Sequence, residues 1–189
     1  MEVAHRASMQ GLVPGTSGNL SVRVPGSDHI LIKATGRALG EMTAADTVLL
    51  DLDGNVVERG TPPRPSKERL FHVAIYQRRP DVGAVVHLHP PYAVAFAVAR
   101  RLPPMLTGAA RAFLEGRTAL VAPAPSGSPQ LAALVGDAFQ DPAVRAAILA
   151  EHGTVTVGSD LRAALYLSEY LEDAARTACL VRLLGGQAP

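Results

Sequence analysis

The spacing of apolar residues changes repeatedly along the chain, and each spacing predicts a different element. Short runs rich in Val, Ile and Leu, bounded by Gly, Pro, Asn or Asp, predict strands. These runs span residues 20–24, 30–33, 47–52, 55–58, 85–89, 118–121, 147–150 and 154–157. Apolar residues three and four positions apart predict helices. The helices span residues 2–10, roughly 14 residues after a cap at Ser66, 92–101, 128–139, and a last helix from a cap at Ser159 to Gly185.

Turn signals between these runs indicate how the strands connect. Pro25-Gly26 and Asp53-Gly54 each separate two strand runs by a few residues, which is typical of antiparallel hairpins. Other strand runs are separated by helices. We therefore predict a mixed sheet covered by helices, with residues 102–117 irregular. The length of 189 residues suits one domain over 1–189.

The composition argues against several classes of function. The formal net charge is +1 and the basic residues form no tract, so nothing indicates binding to nucleic acid or to an anionic membrane. No apolar run reaches the ~18 residues of a membrane span, and the N-terminus lacks the apolar region of a signal peptide. The single cysteine, Cys179, cannot form an internal disulfide, which suits a cytoplasmic protein.

Two histidines stand at the end of one apolar strand run. His87 and His89 are two positions apart, and residues at that spacing in a strand point to the same face. Pro90-Pro91 follows and ends the strand, because proline cannot continue the hydrogen-bonded ladder. Two imidazoles at a strand end are potential metal ligands, although such a pair also occurs on strand edges without a metal.

A third ligand is needed, since catalytic zinc sites have three protein ligands and one open position. His152 is the best candidate, because it follows a buried strand run and precedes Gly153. His5 lies in the first predicted helix and His29 in a polar turn. His72 is four residues after Glu68 on the same predicted helix, a spacing that could indicate a pair of metal ligands. Its apolar neighbours nevertheless favour a buried structural imidazole.

A carboxylate and several small polar turns complete the candidate chemistry. Glu68 is predicted in the first turn of a helix, where its charge is stabilised by the helix dipole, and its spacing alone favours an acid without chemistry. The turns offer backbone N–H groups, hydroxyls, an amide and an ammonium, which suit a phosphate. Each turn alone is more often only a turn. The candidate phosphate contacts are Asn19, Thr35, Gly36, Ser66 and Lys67.

Taken together, these motifs resemble the class II aldolase/adducin family, in particular its L-fuculose-1-phosphate aldolase group. The matching segments occur in the family's order and approximate spacing over nearly the whole chain. They are residues 11–21, 35–36, 65–68, 84–93 and 151–153.

The resemblance implies a three-layer α/β/α fold with a mixed, mostly antiparallel central sheet. It implies that His87, His89 and His152 bind Zn²⁺ or another divalent metal such as Mn²⁺ or Co²⁺, and that Glu68 is the catalytic acid/base. It also implies that a substrate phosphate lies among the candidate contacts above, and that the chain forms a homo-oligomer, commonly a tetramer.

The activity implied by the resemblance is aldol cleavage. A ketose 1-phosphate of the fuculose or ribulose type would give dihydroxyacetone phosphate and an aldehyde through a metal-stabilised enediolate. A 3-oxo sugar-acid phosphate decarboxylase and a sugar-phosphate epimerase are alternatives on the same site. An alternative of another class is a non-catalytic adducin-like interaction domain, which would lack the metal histidines.

Two departures from the family's aldolases are informative. Lys67 stands where those enzymes have serine, and it could hold either a phosphate or a carboxylate. Residues 102–130 contain no tyrosine, so the family's usual tyrosine proton donor has no counterpart there. The position of Lys67 beside Glu68 at a predicted helix start, against the helix dipole, predicts a contact with a substrate anion.

Overall fold

A single twisted sheet organises the chain. The structure, a computed structural model, describes residues 1–57 and 60–186, and the strand order within them is β3-β2-β1-β4-β7-β6-β5. The strands are β1 (Asn19–Arg23), β2 (His29–Lys33), β3 (Thr47–Asp51), β4 (Ala84–Leu88), β5 (Thr118–Val121), β6 (Ala146–Leu149) and β7 (Gly153–Gly158). The helices are α1 (Glu2–Met9), α2 (Arg69–Arg78), α3 (Pro91–Val98), α4 (Gly108–Leu114), α5 (Pro129–Ala138) and α6 (Leu161–Leu183).

Strand β4 is central, because it pairs with β1 on one side and with β7 on the other. All its residues are buried, which explains why its sequence is almost continuously apolar. Every strand pair is antiparallel except β5 and β6, which are parallel. The sheet is therefore mixed and mostly antiparallel.

Helices cover both faces of the sheet. Alternate side chains of β4 enter different cores: Val85 packs in the core beneath α2 and α5, whereas Val86 packs in a core with α1 and α6. Residues from α3, α4 and α6 form a third cluster with Ala146 and Ile148 of β6. The result is the predicted three-layer α/β/α arrangement. Among the described residues, none of the helices has the length and hydrophobicity needed to cross a membrane.

Some local predictions were wrong. Helix α2 begins at Arg69 instead of directly after Ser66, because the Ser66 hydroxyl accepts the Glu68 N–H inside a turn that precedes the helix. Helix α4 lies within the segment predicted to be irregular, and the Thr107 hydroxyl caps it by accepting the Ala110 N–H at 3.1 Å.

Two further boundaries differ from the prediction. The last helix is capped by Asp160, one residue after the predicted Ser159, through a 2.8 Å bond from the Ala163 N–H. The run predicted as a strand over 55–58 makes one isolated bridge, between Val56 and Leu50, and its last residue lies outside the described residues.

Candidate active site

Three strand ends bring the predicted imidazoles together. His87 lies on β4 between Asn19 of β1 and Val155 of β7, and its side chain is fully buried. His89 directly follows β4, and its backbone N–H donates to the Leu12 carbonyl at 3.1 Å. His152 is in the turn that joins β6 to β7. The convergence thus arises because the end of β4 lies beside the β6–β7 turn, at the same end of neighbouring strands.

The imidazoles form a compact set of nitrogen ligands. One potential ligand atom from each of His87, His89 and His152 lies within 4.8 Å of the others. The His87 Nδ1–H donates to the Thr154 carbonyl at 2.9 Å, which directs the lone pair of Nε2 toward the cluster. That Nε2 is 3.0 Å from His89 Nε2 and 3.1 Å from Glu68 Oε2. Acceptor atoms so close together suit a shared cation, so the donor set fits a divalent metal.

The local backbone allows this close packing. A Cβ atom at Gly153 would stand 2.6 Å from His89 Cδ2, so the ring needs a glycine at this point. Burial lowers the pKa of His89 to about 3, with His87 adding to the effect. A neutral imidazole at ordinary pH is the form that binds metals.

Glu68 lies against the imidazoles instead of at a solvated helix end. Its side chain is 5% exposed. Oε1 is 3.1 Å from His152 Nε2 and accepts from the Ser126 hydroxyl at 2.7 Å. Oε2 accepts from Asn19 Nδ2 at 3.0 Å. Burial raises the pKa of Glu68, but contacts with His152 and His87 outweigh it and hold the pKa far below its usual range.

A cleft of about 350 Å³ opens beside Glu68. The structure brings all five candidate phosphate contacts to its wall, together with Glu68, His89 and His152. Its other lining residues are Thr16, Ser17, Gly18, Lys33 and Ser126. Both lysines of the chain, Lys33 and Lys67, therefore line one cleft.

Lys33 is a cleft residue that was not predicted from the sequence. Its side chain is largely buried, and its ammonium donates to the carbonyls of Thr16 at 2.9 Å and Gly18 at 3.0 Å. Desolvation lowers the pKa of Lys33 to about 8, although Glu68 opposes the shift. A lysine at the end of an apolar strand, in a chain with only one other, was the available signal.

The predicted placement of Lys67 in the first turn of a helix is wrong. Lys67 is exposed and lies in the turn before α2, so it is not in the first helical turn. Its carbonyl oxygen would be 2.8 Å from a Cβ at Gly127, which has φ +74°. Lys67 lines the cleft because of this turn and its packing against the Gly127 loop, and its contact with a substrate anion stays a prediction.

Comparisons with known proteins decide the family. A model of the Class II Aldolase and Adducin N-terminal domain matches residues 1–179. This chain belongs to the class II aldolase and adducin family. An "L-fuculose phosphate aldolase" of Methanococcus maripaludis (strain C7) is 33% identical over 93% of this chain and 92% of its own length.

Another relative of this family has a different activity, and the structures of several similar proteins have been solved. A "3-oxo-tetronate 4-phosphate decarboxylase" of Haemophilus influenzae is 34% identical over 88% of this chain and 79% of its own length. The solved l-fuculose-1-phosphate aldolase of Thermus thermophilus superposes with a TM-score of 0.83 at 29% identity, over 100% of this chain and 94% of that one. The family membership thus supports an aldolase-type lyase.

Proposed function

We propose that the chain is a metal-dependent aldolase that cleaves a ketose 1-phosphate of the fuculose or ribulose type into dihydroxyacetone phosphate and an aldehyde. One observation carries the proposal. The buried Glu68 carboxylate contacts two of three clustered imidazoles, at the wall of a cleft that both lysines line.

His87, His89 and His152 would hold Zn²⁺ or another divalent cation such as Mn²⁺ or Co²⁺. When bound, such a cation supplies a Lewis acid beside the reacting oxygens of the substrate. The Thr154 carbonyl fixes the orientation of His87, and Gly153 leaves room for the ring of His89. These contacts hold the ligands in place before a cation arrives.

Glu68 is the proposed acid/base. Cleavage between C3 and C4 transfers the bonding electrons to the dihydroxyacetone phosphate half as an enediolate, and the C4 hydroxyl loses its proton as the aldehyde forms. A proton must then reach C3. We assign both transfers to Glu68, whose carboxylate would accept the proton of the C4 hydroxyl and return it to C3. Ser126 and Asn19 each donate to one carboxylate oxygen, so both oxygens are held in fixed directions.

The polar wall of the cleft suits the phosphate. Asn19, Ser66 and Thr35 supply side-chain donors, Gly36 supplies backbone, and Lys67 supplies a positive charge. Lys33 adds a second ammonium, which has a further N–H beyond the two that it donates to carbonyls. Two cations and several neutral donors are the groups that bind a doubly charged phosphate.

Decarboxylation of a 3-oxo sugar-acid phosphate is the second candidate function. Loss of CO₂ from a 3-oxo sugar acid breaks the C1–C2 bond and leaves its electrons at C2, which carries a hydroxyl, so an enediolate forms here too. The same carboxylate and ligands would therefore serve. The exposed Lys67 at the cleft, together with the decarboxylase relative, supports this candidate.

A product assay distinguishes the candidates. The purified protein, supplied with Zn²⁺, Mn²⁺ or Co²⁺ in turn, is tested with ketose 1-phosphates, 3-oxo acid phosphates and pentulose 5-phosphates. Release of dihydroxyacetone phosphate supports the aldolase, release of CO₂ the decarboxylase, and inversion without cleavage an epimerase. Absence of turnover and of bound metal would support the interaction domain instead.

We further propose that residues 1–189 form one cytoplasmic domain that acts as a homotetramer. Apolar side chains that are exposed on or near the ends of helices support a homotetramer, because an interface between subunits would bury them. Phe113 is 42% exposed, and Leu183 and Leu184 near the end of α6 are 81% and 87% exposed. Light scattering at micromolar concentration should give four times the chain mass, whereas an active monomer would contradict the proposal.

A further inference from the structure

A chain of buried polar side chains runs from Glu68 into the core between β1 and α2. Asn19 contacts Glu68 and His72, and His72 contacts Ser21 through Nδ1 at 2.7 Å. Ser21 in turn contacts the Tyr76 hydroxyl at 2.9 Å. Each of these side chains has at most a few per cent of its surface exposed. The sequence alone indicated only a buried structural imidazole at His72.

The direction of every hydrogen bond in this series follows from Glu68, where the series begins. The Glu68 carboxylate only accepts, so Asn19 must direct its NH₂ group toward Glu68 and its Oδ1 toward His72. His72 must then donate through Nε2–H, because Oδ1 only accepts. A neutral imidazole that donates through Nε2 accepts at Nδ1, so Ser21 donates to His72 and Tyr76 donates to Ser21.

The opposite amide orientation would change the wall of the cleft. If the Asn19 amide were flipped, its oxygen would face the Glu68 carboxylate and its NH₂ group would face the Nε2–H of His72. With His72 protonated at Nε2, both contacts would then be between like groups. Asn19 also lines the cleft, so the same flip would replace N–H donors near a bound phosphate by a carbonyl oxygen.

We propose that His72 is a positioning residue that, together with Glu68, fixes the Asn19 amide with its NH₂ group toward Glu68 and the cleft. His72 acts through Asn19 and touches no substrate. The consequence for phosphate binding rests on the function proposed above. The directions of the hydrogen bonds between Glu68 and Tyr76 do not depend on that function.

The imidazole form of His72 is measurable directly. The full chain, uniformly ¹⁵N-labelled, is studied by long-range ¹H–¹⁵N spectroscopy, and the His72 signals are assigned by their absence from the His72→Gln spectrum. We expect a protonated Nε2 and an unprotonated Nδ1 near pH 7. An Nδ1–H tautomer or a charged ring would overturn the proposal. This measurement on the unmodified chain does not depend on the folding of any variant or on activity.

Variants then separate positioning from packing. The side-chain amide of His72→Gln can still donate to Asn19 Oδ1, whereas His72→Leu keeps an apolar bulk without a donor. Calorimetric titration with inorganic phosphate should show affinity within about threefold of wild type for Gln and a loss of about fivefold or more for Leu. The value of KM for the phosphorylated substrate should follow the same order.

A buried polar group on the opposite face of the sheet provides the matched control. The Thr156 hydroxyl bonds to Ser168 at 2.7 Å beneath α6, and neither residue lines the cleft. Thr156→Val should reduce thermal stability and leave phosphate affinity unchanged. Equal phosphate affinity in folded His72→Leu and wild type would overturn positioning. If wild type itself neither binds phosphate nor turns over substrate, the proposed function fails, and the tautomer alone decides this inference.

Discussion

The two ends of helix α2 each place a charged side chain in a largely buried position, but the two charges have different kinds of partner. Glu68 precedes the helix and Arg79 follows it, so both charges suit the helix dipole. Arg79 donates to both carboxylate oxygens of Asp81 at 2.7 Å and to three backbone carbonyls, those of Phe139, Asp141 and Val144. Its guanidinium is thus neutralised and held by the protein itself.

Glu68 differs because its partners belong to the proposed metal site and to the wall of the cleft. Two are imidazoles of the proposed metal site, and Asn19 and Ser126 line the cleft. A buried charge is therefore not sufficient to indicate a functional site. The useful distinction is whether its partners are mainly backbone carbonyls or include side chains of a candidate metal site.

The largest expected effect sharpens this contrast at the Glu68 end. Glu68→Gln keeps the shape of the side chain but removes its capacity to accept and return a proton. We expect kcat to fall by about 10²–10⁴-fold, the usual contribution of a positioned acid/base. Metal content and the thermal unfolding midpoint should be retained. Activity within a few-fold of wild type would show that Glu68 is only a structural acid.

The next largest effect concerns Lys67, the residue that precedes Glu68. Lys67→Ala should raise KM for phosphorylated substrates at least several-fold, since a hydrogen bond to a charged group contributes about 1.5–3 kcal/mol. Lys67→Ser should recover part of the loss, because a hydroxyl can still donate to phosphate. A rise confined to acid substrates would indicate a carboxylate contact, and unchanged kinetics would make Lys67 a surface residue.

At the other end of α2 the expected effect is on stability. Arg79→Met leaves three carbonyls without their guanidinium partner, which should reduce the free energy of unfolding by about 1–3 kcal/mol. Thermal denaturation measures the loss, and steady-state kinetics at 25 °C should match wild type. A normal unfolding midpoint combined with lost turnover would break the distinction between the two ends.

The smallest effect is a pH dependence at Lys33. The ammonium has a pKa of about 8 in the free protein, so it loses its positive charge as the pH rises through 8. Binding of inorganic phosphate should therefore weaken, by less than about tenfold, between pH 7 and pH 9. Lys33→Met should bind weakly at both values. A wild-type affinity that is constant over this range would exclude a role for the Lys33 charge.

The fold class was predictable because it depends on short-range patterns. Val85 and Val86 alternate between two cores, as a strand buried on both faces requires. The proximity of His87 and His89 followed from the two-residue period of a strand. The convergence with His152 was expected from the family resemblance, and it depends on the pairing of β4 with β7, which spans 66 residues between Leu88 and Thr154.

Contacts that depend on the path of loops were not predictable in this way. Ser126 reaches Glu68 from a loop 58 residues away, and no local pattern marks it. The start of α2 was misplaced because a serine hydroxyl can cap a helix or close a turn, and the choice at Ser66 depends on the preceding pairing of its N–H with the Lys33 carbonyl. Apart from the scarcity of lysine in this chain, Lys33 has the sequence context of an ordinary charged residue at a strand end.

Metal stoichiometry tests the central claim most directly. The wild-type chain and His152→Ala are dialysed against buffer containing Zn²⁺ and then against metal-free buffer, and bound metal is measured by mass spectrometry. We predict one divalent ion per wild-type chain, and a sharp loss of both metal and turnover in His152→Ala. Full zinc retention by folded His152→Ala would contradict the assignment of the three imidazoles as the metal site.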